Sequence, residues 1–266
     1  EMILGARIEL SLNKRDPSDF VLWKPSTDNQ PGWDSIWGRG RPGWHVECSA
    51  MSEEYLGANF DIHGGGVDLV FPHHENEIAQ SECFHPNIPF VKTWIHNGYV
   101  MSEGEKMSKS LGNFYTVNDL LKEFPGEALR LALLATHYRQ PLDFTKEGIQ
   151  EAISRLDRYY LALKILEENL DQKKSISSNI VDDVGSSLLD DLNTPAALTV
   201  LDNQSTLIIN ASPKERTKIG RSFLQNANSL GLLSSGSNYW HKRGISKTEQ
   251  LDIDLMIKKR IIAREK

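Results

Sequence analysis

Cysteine is scarce: only Cys48 and Cys83 occur among 266 residues, which excludes a disulfide-stapled secreted scaffold and fits a reducing, cytoplasmic compartment. Long hydrophobic runs are missing too. The longest, such as Leu131-Ala132-Leu133-Leu134-Ala135, fall far short of the ~20 apolar residues that cross a bilayer, so no membrane partner is expected. Neither a signal peptide nor an initiator Met opens the chain. Its start, Glu1-Met2-Ile3-Leu4, reads as the middle of a longer polypeptide, and a fragment is expected. An excess of basic residues is also lacking. The formal charge is −6, which excludes a protein coated with positive surface.

That charge is unevenly placed. Lys and Arg minus Asp and Glu give −8 for residues 1–150, −5 for 151–211 and +7 for 212–266. A basic end on an acidic body is compatible with nucleic-acid contact there, and equally with a solvated helical surface. The length and the 39% hydrophobic content suit more than one globular unit.

Residues 1–45 are rich in turn formers, with Phe20-Val21-Leu22-Trp23 as a strand candidate before the loop 38–43. Val46, Cys48, Met51 and Tyr55 permit a helix from Trp44 to about Leu56. Phe60–His63 reads as a short strand running into a turn at Gly64-Gly65-Gly66, His73–Phe84 as a helix ended by Pro86 and Pro89, and Val91–His96 as the next strand. This is the rhythm of an α/β unit. Tyr99–Ser102 is a further strand candidate. Thr116 or Asn118 can cap a helix over Asp119–Phe124, and Pro125-Gly126 breaks it before another at Glu127–His137. Thr145 can cap a long helix whose Ile149, Ile153, Leu156, Tyr160, Leu163 and Leu166 share one face at 3.6-residue spacing. With further helices expected at Pro195–Ile209 and Arg221–Leu233, the second half reads as a helical bundle.

Three places carry chemistry. Lys106-Met107-Ser108-Lys109-Ser110 puts two lysines and two hydroxyls on a short polar loop. Lysine suits a flexible clamp on polyphosphate, because its ammonium is a compact charge on a long stem; a solvated turn is the plain alternative. His73 and Glu77, four apart, lie on one helical face and can grip one ion, with Cys48 supplying a thiolate. Sulfur, imidazole and carboxylate together favour zinc, with a fourth position left over. A His/Glu pair at this spacing also serves as a helix-surface interaction, and a lone cysteine as core, so both readings stand on the residues alone. The same geometry rotates Cys83 off the ligand face, as a buried inert thiol, and turns His74 away from His73. Ile78 stands where a metalloprotease motif needs its second histidine. Gly64-Gly65-Gly66 allows close backbone approach to a ligand and positive φ, and Asp68 can accept from ribose hydroxyls, although a plain tight turn explains the triplet as well.

Read in order, Gly43-Trp44-His45-Val46-Glu47-Cys48-Ser49-Ala50-Met51, Phe60–Gly66, Phe71-Pro72-His73-His74-Glu75-Asn76-Glu77-Ile78-Ala79-Gln80-Ser81 and Lys106–Asn113 resemble the cysteinyl-tRNA synthetases, over roughly residues 5–165. The resemblance implies the second half of a Rossmann-like class I catalytic domain at 1–95 with a zinc site, the signature loop and a stem-contact region at 96–145, and a truncated helical anticodon-binding domain at 146–266. It implies adenylation of cysteine by ATP with Mg2+ and transfer to tRNA(Cys). By resemblance Cys48, His73 and Glu77 are three of four zinc ligands, and the zinc receives the substrate thiolate. Lys106 and Lys109 stabilise charge on the ATP phosphates, and Trp44, His63, Gly65 and Asp68 belong to the cysteine and ATP pockets. The family's His-Ile-Gly-His signature, and the cysteine ligand placed before it, have no counterpart in this sequence. The chain alone is therefore expected to be inactive. The rival readings are a mycothiol-pathway cysteine ligase and a non-catalytic zinc- or tRNA-binding fragment.

Overall fold

The computed structural model of the protein describes residues 14–16, 18–102, 104–107, 112, 114–169, 183–244 and 246–264. It divides into two compact units, Glu1–Tyr99 and Val100–Lys266.

In the first unit β1 (Trp23–Pro25) pairs antiparallel with β2 (Gly40–Pro42), Trp23 facing Pro42. The strand expected at Phe20 thus begins three residues later, and its partner comes out of the stretch read as loop. Helix α1 (Trp44–Leu56) follows directly. Strand β3 (Phe60–Gly66) and β4 (Val91–Asn97) form a parallel pair, with His63 opposite Trp94 and Gly65 opposite His96. Parallel neighbours need a crossover, and here it is a single turn at Val67–Leu69, an irregular turn at Val70–His74 in which Phe71 is extended (φ −136°, ψ 134°), and α2 (Glu75–Phe84). A small core of Phe60, Phe90 and Val91, flanked by Ile78 and Trp94, anchors the pair.

The glycine triplet corrects the expected turn: all three glycines are strand residues paired with Ile95, His96 and Asn97, none with positive φ. Their smallness serves packing instead. A Cβ on Gly65 would stand 2.8 Å from Cε1 of His74, and one on Gly66 would overlap the Asp68 carboxylate.

In the second unit β5 (Val100–Ser102) lies between β6 (Glu105–Lys106), antiparallel to it, and β7 (Leu142–Asp143), parallel to it. Helix α3 (Val117–Glu123) is capped by Thr116, whose hydroxyl accepts from the Asp119 N–H at 3.1 Å. Helix α4 (Gly126–Leu134) starts after Pro125. The long α5 (Lys146–Asn169) buries Ile149, Leu156, Tyr160, Leu163 and Leu166, the stripe expected from its spacing, with Ile153 at the margin. Around it stand α6 (Asp183–Leu189), α7 (Thr194–Asn210), α8 (Pro213–Ser229) and α9 (Ser237–His241), and α10 (Lys247–Arg264) follows. One core runs from Leu120 through Phe223 to Trp240. Glu127 fastens three elements across it, accepting from the Tyr160 hydroxyl at 2.8 Å and the Leu233 N–H at 2.6 Å. Among the described residues no helix is long and apolar enough to cross a membrane.

Candidate metal centre

Cys48 sits on the second turn of α1, His73 just before α2 and Glu77 in its first turn. Packing of α1 against α2 brings the three together, so that Sγ, an imidazole nitrogen and a carboxylate oxygen all lie within 4.8 Å of one another. His73 Nε2 is 2.6 Å from Glu77 Oε1, the i, i+4 contact that helical geometry demands. Glu77 is fully buried. Neither of its oxygens receives a well-directed hydrogen bond, although His73 Nε2 and His63 Nε2 stand 2.6 and 3.0 Å away. The Cys48 thiol, a weak donor, is what faces the carboxylate besides.

A buried carboxylate left in this state is costly as a purely structural element. Donor atoms that converge at short range without hydrogen-bond direction are what a cation between them calls for. Soft sulfur with imidazole and carboxylate suits zinc, so the residues present fit that ion. Without a cation, burial pushes Glu77 up to about 7. Burial, and then the Glu77 carboxylate, push Cys48 up to about 11.

Sequence reasoning missed the surrounding imidazoles. His45 Nδ1 stands 2.8 Å from His73 Nδ1, and His74 Nδ1 stands 2.8 Å from His96 Nε2. His74, expected to turn away, is buried in a second cluster with His63 and Glu77, again within 4.8 Å. Burial first, then the neighbouring rings of His63, His96 and His73, lower His74 to about 4. The extended Phe71 resets the chain so that both His73 and His74 face inward, and no periodicity in the sequence announces that.

Trp44, the first residue of α1, lays its ring 4.2 Å from that of His73 and keeps half its surface exposed. Asp68 lies in the turn after Gly66, on the same crossover. Cys83 is exposed, against the expectation of a buried thiol: it lies in the last turn of α2, one step round the helix from Glu82, whose carboxylate accepts from the Phe90 N–H. The Lys106 backbone belongs to β6, paired with Met101. Lys109 lies outside the described residues.

A family model for the class I (C) tRNA synthetase catalytic domain matches residues 1–154. The chain is 52% identical to the cysteine–tRNA ligase of Rhodospirillum centenum over 95% of its length and 54% of the relative's. Against that of Rhodospirillum rubrum it is 54% identical, over 90% of this chain and 52% of the relative. The Xanthomonas oryzae enzyme gives 46% over the whole chain and 59% of the relative. The chain thus spans about half the length of the curated relatives it matches. A solved LeuRS of Agrobacterium radiobacter K84, in complex with tRNA and LeuAMS, superposes with a TM-score of 0.53 at 16% identity, over 79% of this chain and 32% of that one, a likeness of fold. With more than half of its residues matched, the chain belongs to the class I (C) tRNA synthetase catalytic-domain family.

Proposed function

We propose that this chain is part of a cytoplasmic cysteine–tRNA ligase, which joins cysteine to ATP and passes it to tRNA(Cys). In the first step a cysteine carboxylate oxygen attacks the α-phosphorus of ATP and pyrophosphate leaves. In the second a ribose hydroxyl at the tRNA 3′ end attacks the carbonyl and AMP leaves. The single observation that carries the reading is the Cys48, His73 and Glu77 donor set, converging around a buried carboxylate without well-directed hydrogen bonds, in a chain about half identical to cysteine–tRNA ligases.

Zinc held there supplies a soft contact for a thiolate, which separates cysteine from serine by far more than a methylene-sized pocket could. The protein's own part is to hold that contact in place. Cys48, His73 and Glu77 bind the ion, and Trp44, beside His73, walls the amino-acid pocket. His63, Gly65 and Asp68 serve the cysteine and ATP side, and Lys106 and Lys109 steady the phosphates with Mg2+. We assign residues 1–95 to the catalytic half, 96–145 to the signature loop and stem contact, and 146–266 to tRNA binding.

The test is elemental analysis of the purified chain with competitive chelation. We expect up to one zinc per chain, lost in Cys48→Ala and in Glu77→Gln. In the complete enzyme Lys109→Ala should slow pyrophosphate exchange about a hundred- to thousand-fold with little change in cysteine binding. A zinc-free protein, or an unchanged zinc content in Cys48→Ala, contradicts the reading.

A further inference from the structure

Each of the two ligands that α2 and its entry turn contribute has a second histidine behind it. His73 turns Nε2 toward Glu77 and Nδ1 toward His45, 2.8 Å away on α1. Glu77 turns Oε1 toward His73 and Oε2 toward His63, 3.0 Å away on β3. We propose that His45 and His63 are positioning residues of the metal centre, His45 fixing the ring of His73 and His63 fixing Glu77 through the oxygen that points away from His73.

The chemistry follows from the nitrogens. When His73 offers the lone pair of Nε2 to a cation, its proton sits on Nδ1 and is donated to His45 Nδ1, which places the His45 proton on its own Nε2. The His63 Nε2–H, after a small ring rotation, donates to Glu77 Oε2 and leaves Oε1 to the ion, so that the carboxylate binds through one oxygen. Ligands held from behind in this way lose less freedom on binding and keep their geometry.

His63 is itself well fixed. Its ring centroid lies 4.9 Å from those of His74 and Trp94 and 5.5 Å from that of Phe60, and its side chain is 16% exposed. His63, His74 and Glu77 also stand close enough to hold an ion of their own. Against that use, the two clusters share one carboxylate, Glu77, which would have to offset two dications at close range.

The inference rests on the reading of Cys48, His73 and Glu77 as a metal centre, and cobalt(II) titration of the chain separates the two. His63→Phe and His45→Phe keep a ring and remove the nitrogens; His63→Gln restores an N–H donor near the position of Nε2, and His45→Asn an acceptor oxygen near that of Nδ1. We expect one cobalt per chain throughout. Chelator competition should show affinity falling about ten- to a hundredfold in each Phe variant, with the thiolate-to-cobalt band retained and the d–d bands altered. The Gln and Asn variants should recover most of the loss.

Phe variants that bind cobalt as tightly as the unaltered chain overturn the inference, while loss of the thiolate band in Cys48→Ala still upholds the metal centre. A Cys48→Ala chain with undiminished affinity overturns the metal reading itself. Two cobalt ions per chain, the second lost in His63→Phe, would make His63 a ligand and overturn its positioning role. Should Phe at 63 not be accommodated, His63→Gln against the shorter His63→Asn decides, because only Gln reaches Glu77.

Discussion

At the scale of single residues, the site depends on protons that must leave. A metal held by Cys48, His73 and Glu77 as proposed would displace the Cys48 proton, which burial and Glu77 hold up to about 11, and part of the Glu77 proton, held near 7. The metal-free site binds these protons and the loaded site does not, so apparent zinc affinity rises with pH, with roughly one to two protons released per ion near neutrality. Chelator competition between about pH 6 and 8 measures that slope; a flat profile contradicts it. Gly65 offers a second single-atom test. Alanine there would drive a Cβ to 2.8 Å from His74, whereas at Gly64 the nearest atom would be Ile95 O at 3.4 Å. Gly65→Ala should lower both melting temperature and zinc affinity, and Gly64→Ala should leave both nearly unchanged.

Whole elements were the most legible part of the sequence. The stripe on α5 was readable because a helix with one apolar face has a period that side chains announce, and Leu156, fully buried in its middle, should cost about 2–5 kcal/mol as alanine. Thr116→Ala should cost ~1 kcal/mol by removing the cap of α3; chemical denaturation checks both. The convergence of His73 and Glu77 was legible for a related reason, since their i, i+4 spacing gives them a common direction. What surrounds them was not. His45, His74 and His96 reach the site from three different elements, and tertiary packing leaves no trace in local spacing. The glycine triplet misled because glycine marks turns and close approach alike, and here His74 supplies the close approach. Another such pairing is Asp191, in a left-handed conformation (φ 53°) and held by Arg139 at 2.6 Å and the Tyr138 hydroxyl at 2.6 Å. These two, Arg139 first, lower its carboxyl to about 2. Its contribution is therefore complete above the ordinary carboxylate range and lost as pH falls toward 2. Asp191→Asn should remove that acid-side slope in melting experiments without harming the left-handed turn, which asparagine tolerates.

For the molecule as a whole, the basic end is where the proposed tRNA contact is tested. Lys214, Lys218 and Arg221 are exposed on α8 at spacings of four and three, hence on one face. Removing everything after residue 212 would strip Phe223, Ala227, Leu232 and Trp240 from the core, so point changes are the sharper probe. Each Lys or Arg changed to Glu on this face should reduce the slope of log affinity for tRNA against log salt by about one; filter binding across a salt series reads it, and an unchanged slope marks a merely solvated face. The two units differ in how they are held: the second has one continuous core of many large side chains, the first little more than Phe60, Phe90 and Val91. A heating scan should consequently resolve two heat-absorption peaks instead of one. Zinc at a hundredfold excess over its dissociation constant adds ~2.7 kcal/mol to whatever binds it, and it should move only the peak of the unit that contains Glu77. A chelator would then act as a selective destabiliser, lowering the melting point of the smaller unit and leaving that of the helix-rich unit where it was.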